Sequence, residues 1–131
     1  MIFRQVVEIK TGVKTMTQRV DDGGYTWDCD GNGNITHVYK NGRLKWQVGK
    51  VYAAVPKRGM KQFGSYRITR IRHRPVQTMT EADAYYEGVK DLADYRTLWD
   101  SINGAYKGKR WQDNPTVFAI EFRYLGSVET D

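Results

Sequence analysis

Gly12 to Arg19 reads GVKTMTQR: a lysine, a threonine three residues on, and an arginine two further. An ammonium, a hydroxyl and a guanidinium so close together are the groups that hold anions and polarised oxygens. The fragment is not a phosphate-binding loop. That pattern needs glycine six residues before the lysine and again immediately before it, and Glu8 and Val13 stand there. The spacing also sets a geometric condition. Residues three apart on a regular strand point to opposite faces, so Lys14 and Thr17 share a cleft only if the chain bulges or turns between Gly12 and Met16. Arg19, two residues after Thr17, is expected on the same face as Thr17.

Glu87 is the other residue whose placement asks for a chemical reason. It falls in the last turn of a predicted helix, just before Gly88. The negative end of the helix dipole disfavours a carboxylate there by a few tenths to about 1 kcal/mol. Such a position is either tolerated at the surface or marks a carboxylate with work to do. Two further patterns are weaker. Asp28, Asp30, Asn32, Gly33 and Ile35 match part of a calcium loop, but Tyr39 occupies the place of its bidentate glutamate, and a hairpin replaces the exit helix. The turn reading is preferred, and no metal or other cofactor is expected. His37 and His73 have no marked nucleophilic serine to serve, and with the single Cys29 they make a poor zinc set.

The charge pattern points to a polyanion. The chain of 131 residues has net charge +6, yet residues 31–80 carry eleven basic side chains and no acidic one. Among them are Lys57, Arg58, Lys61, Arg70, Arg72 and Arg74, which with Arg19 are the candidate nucleic-acid contacts. Tyr39, Trp46, Tyr52, Phe63 and Tyr66 lie among these charges, as base stacking beside phosphate neutralisation requires. No apolar run approaches the roughly 18 residues of a membrane span. The N-terminus lacks the uninterrupted apolar core of a signal peptide and there is one cysteine, so the expected location is the cytoplasm.

The elements that must position these residues read as one α+β domain over 1–131. Residues 3 to 11 can form a short helix and 14 to 20 a strand. Asp21 to Asn34, rich in Gly, Asp and Asn, reads as a loop. Strands ITHVY and RLKWQV flank Asn41-Gly42, a strong hairpin signal. Val51 to Pro56 and Ser65 to Arg74 follow as strands. Thr80 to Asp83 fits a capping box, and a second helix from Asp91 carries Leu92, Tyr95, Trp99 and Ile102 on one face up to Gly104. The last strand, TVFAIEFRY, turns Phe118, Ile120, Phe122 and Tyr124 to one side and Glu121 and Arg123 towards water. Five or six strands with late helices make a small, mostly antiparallel barrel.

Four motifs in this order resemble an ASCH domain, most closely those of bacteria and their phages. They are GVKTMTQR, TEADAYYEG (Thr80 to Gly88), LWDSIN (Leu98 to Asn103) and WQDNPTVFAIEF (Trp111 to Phe122). The resemblance covers about residues 3–19 and 48–124, and the loop and hairpin at about 20–47 look like an insertion. It implies a PUA-like barrel with flanking helices and a cleft for RNA, a single-stranded nucleic acid or a modified nucleoside. It is similar, more distantly, to the small 4-acetylcytidine amidohydrolases. By motif that similarity carries a catalytic Lys-Thr-Glu trio onto Lys14, Thr17 and Glu87. Other ASCH proteins have ribonuclease or plain binding roles, so a binding module and a hydrolase both remain open. An amide hydrolase needs a nucleophile, a proton carrier and an anion stabiliser. Thr17 can supply the hydroxyl, and the division of labour between Lys14 and Glu87 stays open.

Overall fold

The computed structural model describes residues 9, 12, 14–56 and 59–127. The expected helix at 3–11 lies outside them except for Ile9, which is fully buried. Seven strands and two helices follow: β1 (Met16–Val20), β2 (Tyr25–Cys29), β3 (Ile35–Lys40), β4 (Arg43–Gln47), β5 (Val51–Ala54), β6 (Gly64–Pro75), α1 (Glu81–Tyr86), α2 (Leu92–Asn103) and β7 (Thr116–Ser127). They form an antiparallel four-stranded sheet in the order β1-β7-β6-β5 and a three-stranded sheet β2-β3-β4. The domain is α+β. Its two sheets pack against each other without closing into a barrel.

The hairpin turn forms where its residues demand it. Asn41 and Gly42 both take positive φ, 51° and 80°, the two left-handed positions of a type I′ turn. The stretch 21–34 is not one loop, because Tyr25–Cys29 pairs with β3. Gly23, Gly24 and the Asp30 turn bracket that strand and hide it from a reading based on turn residues. At the turn, Asp30 Oδ1 accepts from the backbone N–H groups of Asn32 and Asn34 at 2.8 and 3.0 Å. The carboxylate shapes the loop, as the turn reading requires.

Two cores result. Val38 and Trp46 of the small sheet pack on Tyr66, Ile68, Ile71, Phe118, Ile120 and Phe122 of the large one. On the opposite face of the large sheet, Val117 packs with Val76, Met79, Ala84, Tyr95, Trp99 and Trp111. This corrects the expectation that the second face of β7 meets water. Val117 and Ala119 are fully buried there, and only from Glu121 onwards does the face open.

Asp83 ties α1 to that face. Thr80 and Asp83 form the expected capping box, and the same carboxylate lies 3.1 Å from Arg74 and 3.6 Å from Arg72. Burial opposes its ionisation. The Thr80 N–H and the two guanidiniums outweigh that and hold its carboxyl below the usual range. A depressed carboxyl stabilises the fold above its unfolded pKa of about 3.9, and loses that contribution as pH falls through the lower folded value. Asp83→Ala removes a cap and strands the arginines, so a loss of about 3 kcal/mol is expected in urea melts at pH 7. The gap to wild type should narrow by pH 3. Equal melts at pH 7 would refute the assignment.

Candidate functional site

β1 supplies the heart of the site. Among the described residues it pairs on one side only, with β7, so its other edge is open. At its start the backbone departs from regular pairing. Phe122 N–H still donates to Thr15 O at 2.9 Å, but Thr15 N–H donates to Tyr86 O at 2.7 Å. Lys14 then forms an isolated antiparallel bridge with Glu87. Gly12, at φ 78°, takes the left-handed conformation that lets the chain turn in. The irregular stretch required between Gly12 and Met16 is present, and Lys14 and Thr17 line the same cavity.

Glu87 ends α1 as its C-cap, with Gly88 at φ 83° closing the turn. Its carboxylate is 2% exposed and forms an ion pair with the ammonium of Lys14, itself 5% exposed. The unfavourable helix-end position is thus answered by a buried cation. Removing two charges from water costs several kcal/mol per ion before their attraction offsets it, so the pair is an expensive feature for the fold. Among the described residues Glu87 Oε2 has no donor in good hydrogen-bond geometry, although the Tyr95 hydroxyl interacts with this carboxylate. Thr17 is 4% exposed.

The cavity has a volume of about 700 Å³ and wraps around the open edge of β1. Tyr95, Leu98, Trp99 and Ile102 of α2 form one wall, Tyr25, Lys45 and Trp46 of the small sheet the other, with Tyr52 and Tyr66 between them. Arg19 and Lys109 add positive charge. Lys45 sits 4.9 Å from the Trp46 ring and donates to the Tyr25 hydroxyl at 3.1 Å. Burial first, then the Glu87 carboxylate, push the Tyr95 hydroxyl well above its usual pKa. Gln18 Nε2 donates to that hydroxyl at 3.3 Å. Tyr95 therefore stays protonated beside Glu87 and can donate.

The structure brings Lys14, Thr17, Arg19 and Glu87 to one cavity. It does not gather the basic segment into one surface. Arg72 and Arg74 turn to Asp83, and Arg70 lies 3.7 Å from Glu121. These three line the face of the sheet that carries α1, not the cleft. Lys61 is exposed elsewhere, and Lys57 and Arg58 lie outside the described residues. Of the aromatic walls, Trp46, Tyr52 and Tyr66 were among the stacking candidates of the basic segment, Tyr95 and Trp99 were read as the apolar stripe of α2, and Tyr25 was not singled out. Gln18 had no sequence signal. Among the described residues, no cluster of His, Cys, Asp or Glu could hold a metal, and no helix is long and apolar enough to cross a membrane.

Two solved structures share this arrangement of elements. One is an ASCH domain from Lactobacillus crispatus, matching with a TM-score of 0.60 at 16% identity over 92% of this chain and 69% of that one. The chain has the fold of an ASCH domain. The other is a DUF984 protein from Enterococcus faecalis, with a TM-score of 0.61 at 13% identity, over 95% of this chain and 72% of its own. No family model and no curated protein matches the chain. At such identities the likeness speaks for the ASCH fold, and the site must be argued from its own residues.

Proposed function

We propose that this ASCH-fold domain binds a nucleobase, as a nucleoside or as part of an RNA segment, in the cleft beside β1. The observation that carries this is a buried Lys14–Glu87 ion pair opening on a cavity walled by Tyr25, Trp46, Tyr52, Tyr66, Tyr95 and Trp99. A flat base held against these aromatic side chains would gain about 1–3 kcal/mol for each stacking contact. Lys14 offers donors and Glu87 an acceptor to the base edge, side by side, so that the edge is read by hydrogen bonds in a dry site. Arg19, Lys45 and Lys109 line the same cavity and would meet the phosphate of a bound nucleotide.

Trp46 and Trp99 make the test direct, because a stacked base quenches indole fluorescence. Titration with cytidine, N4-acetylcytidine, uridine, adenosine and guanosine should give saturable quenching by at least one. Linear responses to all five, and to a short oligoribonucleotide, would overturn the proposal.

A second reading, hydrolysis of an acylated nucleoside, is favoured by the buried Thr17 on the same cavity as Lys14 and Glu87. Thr17 Oγ1 would add to the acyl carbon, with its proton passing through the Lys14–Glu87 pair to the departing amine. Water would then cleave the Thr17 ester and release the carboxylic acid. Thr17→Ala should abolish release of cytidine from N4-acetylcytidine while nucleoside binding persists. Binding without turnover in the wild type would leave the domain a binding module.

A further inference from the structure

On the face of the large sheet that carries α1, β6 and β7 pair Arg67 directly opposite Arg123. Opposed side chains on neighbouring strands have Cβ atoms about 4.5–5.5 Å apart, and like charges there destabilise the sheet. Both arginines are exposed, and neither lies within ion-pair distance of a carboxylate among the described residues. Their neighbour Arg70 has Glu121, whereas β1, which would have continued the row beyond Arg123, has turned away at Lys14 to reach Glu87. Arg123 lies outside the acid-free segment, so this pairing is visible only in the fold.

We infer that Arg67 and Arg123 form a phosphate-contacting surface for single-stranded nucleic acid, separate from the cleft. A guanidinium pair with no carboxylate within ion-pair distance among the described residues is complementary to a row of phosphates, to whose oxygens each fork donates. What favours a nucleic acid over an acidic protein is the edge of the same face. α1 lies on it, held through Asp83, and ends in Tyr85 and Tyr86, which are 62% and 44% exposed. Exposed tyrosine rings on a face that also carries exposed arginines supply the stacking and phosphate contacts that single strands require. The backbone link from Thr15 to Tyr86 sets these rings next to the start of β1, so a strand crossing this face runs towards the cleft.

The inference extends the nucleobase reading but is tested apart from it. Arg67→Gln/Arg123→Gln should weaken binding of oligouridine and make the slope of log K against log salt shallower by about 1.4, at about 0.7 per lost phosphate contact. The melting temperature should hold or rise as the like-charge opposition is removed, and nucleoside quenching in the cleft should not change. Tyr85→Ala should weaken oligouridine binding about fivefold or more without changing the slope. Lys90→Gln/Arg96→Gln, which removes the same charge from exposed positions elsewhere, serves as the control. An equal change in slope for the control pair would overturn the inference, because net charge alone would explain it. Oligouridine binding that Arg67→Gln/Arg123→Gln leaves intact, or binding of polyglutamate in place of RNA, would also overturn it. None of these results touches the nucleobase reading.

Discussion

Glu87→Ala is expected to cost about 3–5 kcal/mol of stability, because it leaves the Lys14 ammonium buried without its partner. Lys14→Ala should cost a similar amount by stranding the carboxylate. The double variant Lys14→Met/Glu87→Leu should behave quite differently. Apolar residues of similar volume replace a buried ion pair at little cost, and often with a gain of about 1–4 kcal/mol. Urea melts of the four proteins give the coupling energy directly. A double variant near wild type, with both single variants far below it, would show that the fold does not need these charges. That outcome would support the proposed ligand role of the pair. If each single variant loses less than about 1 kcal/mol, the pair is solvated and the buried site described above is wrong.

The second large effect is on RNA affinity. If about five phosphates of a single strand are neutralised, log K should fall with log salt at a slope near −3.5. Between 50 and 200 mM salt that is a loss of roughly a hundredfold. The positive side chains lie in more places than the acid-free segment suggested. Arg19, Lys45 and Lys109 sit at the cleft, Arg67 and Arg123 on the far face, and Arg72 and Arg74 are engaged with Asp83. Affinity that stays constant across this range would exclude phosphate contacts as its source.

These comparisons show which parts of the molecule were legible in its residues. The Asn41-Gly42 turn, the Thr80–Asp83 capping box and the limits of α2 were readable because each depends on neighbours within four residues. β2 was not, because YTWDC becomes a strand only by pairing with β3, and its glycine-rich flanks argue for a loop. The arginines of β6 misled for a related reason. Counting charge along a segment cannot see that Asp83, from α1, meets two of them across the sheet. Lys14, Thr17 and Glu87 each stood out by type and position, but their grouping was legible only through the resemblance to the ASCH pattern. Lys14 and Glu87 are 73 positions apart, and no periodicity links an irregular strand entry to a helix end. The carboxylate at the wrong end of α1 was a clue from the start, and the fold supplies the buried cation that accounts for it.

The central claim, that Lys14 and Glu87 exist to hold a nucleobase, meets its most direct test in the double variant. Lys14→Met/Glu87→Leu should remain folded, with the melting behaviour and Trp46 and Trp99 environment of the wild type. Whichever nucleoside quenches the wild type should then fail to saturate the variant at concentrations a hundredfold above the wild-type Kd, a loss of at least about 2.7 kcal/mol. A folded double variant that binds the same nucleoside with unchanged affinity would contradict the account, because the ion pair would then be a property of the fold and not of its ligand.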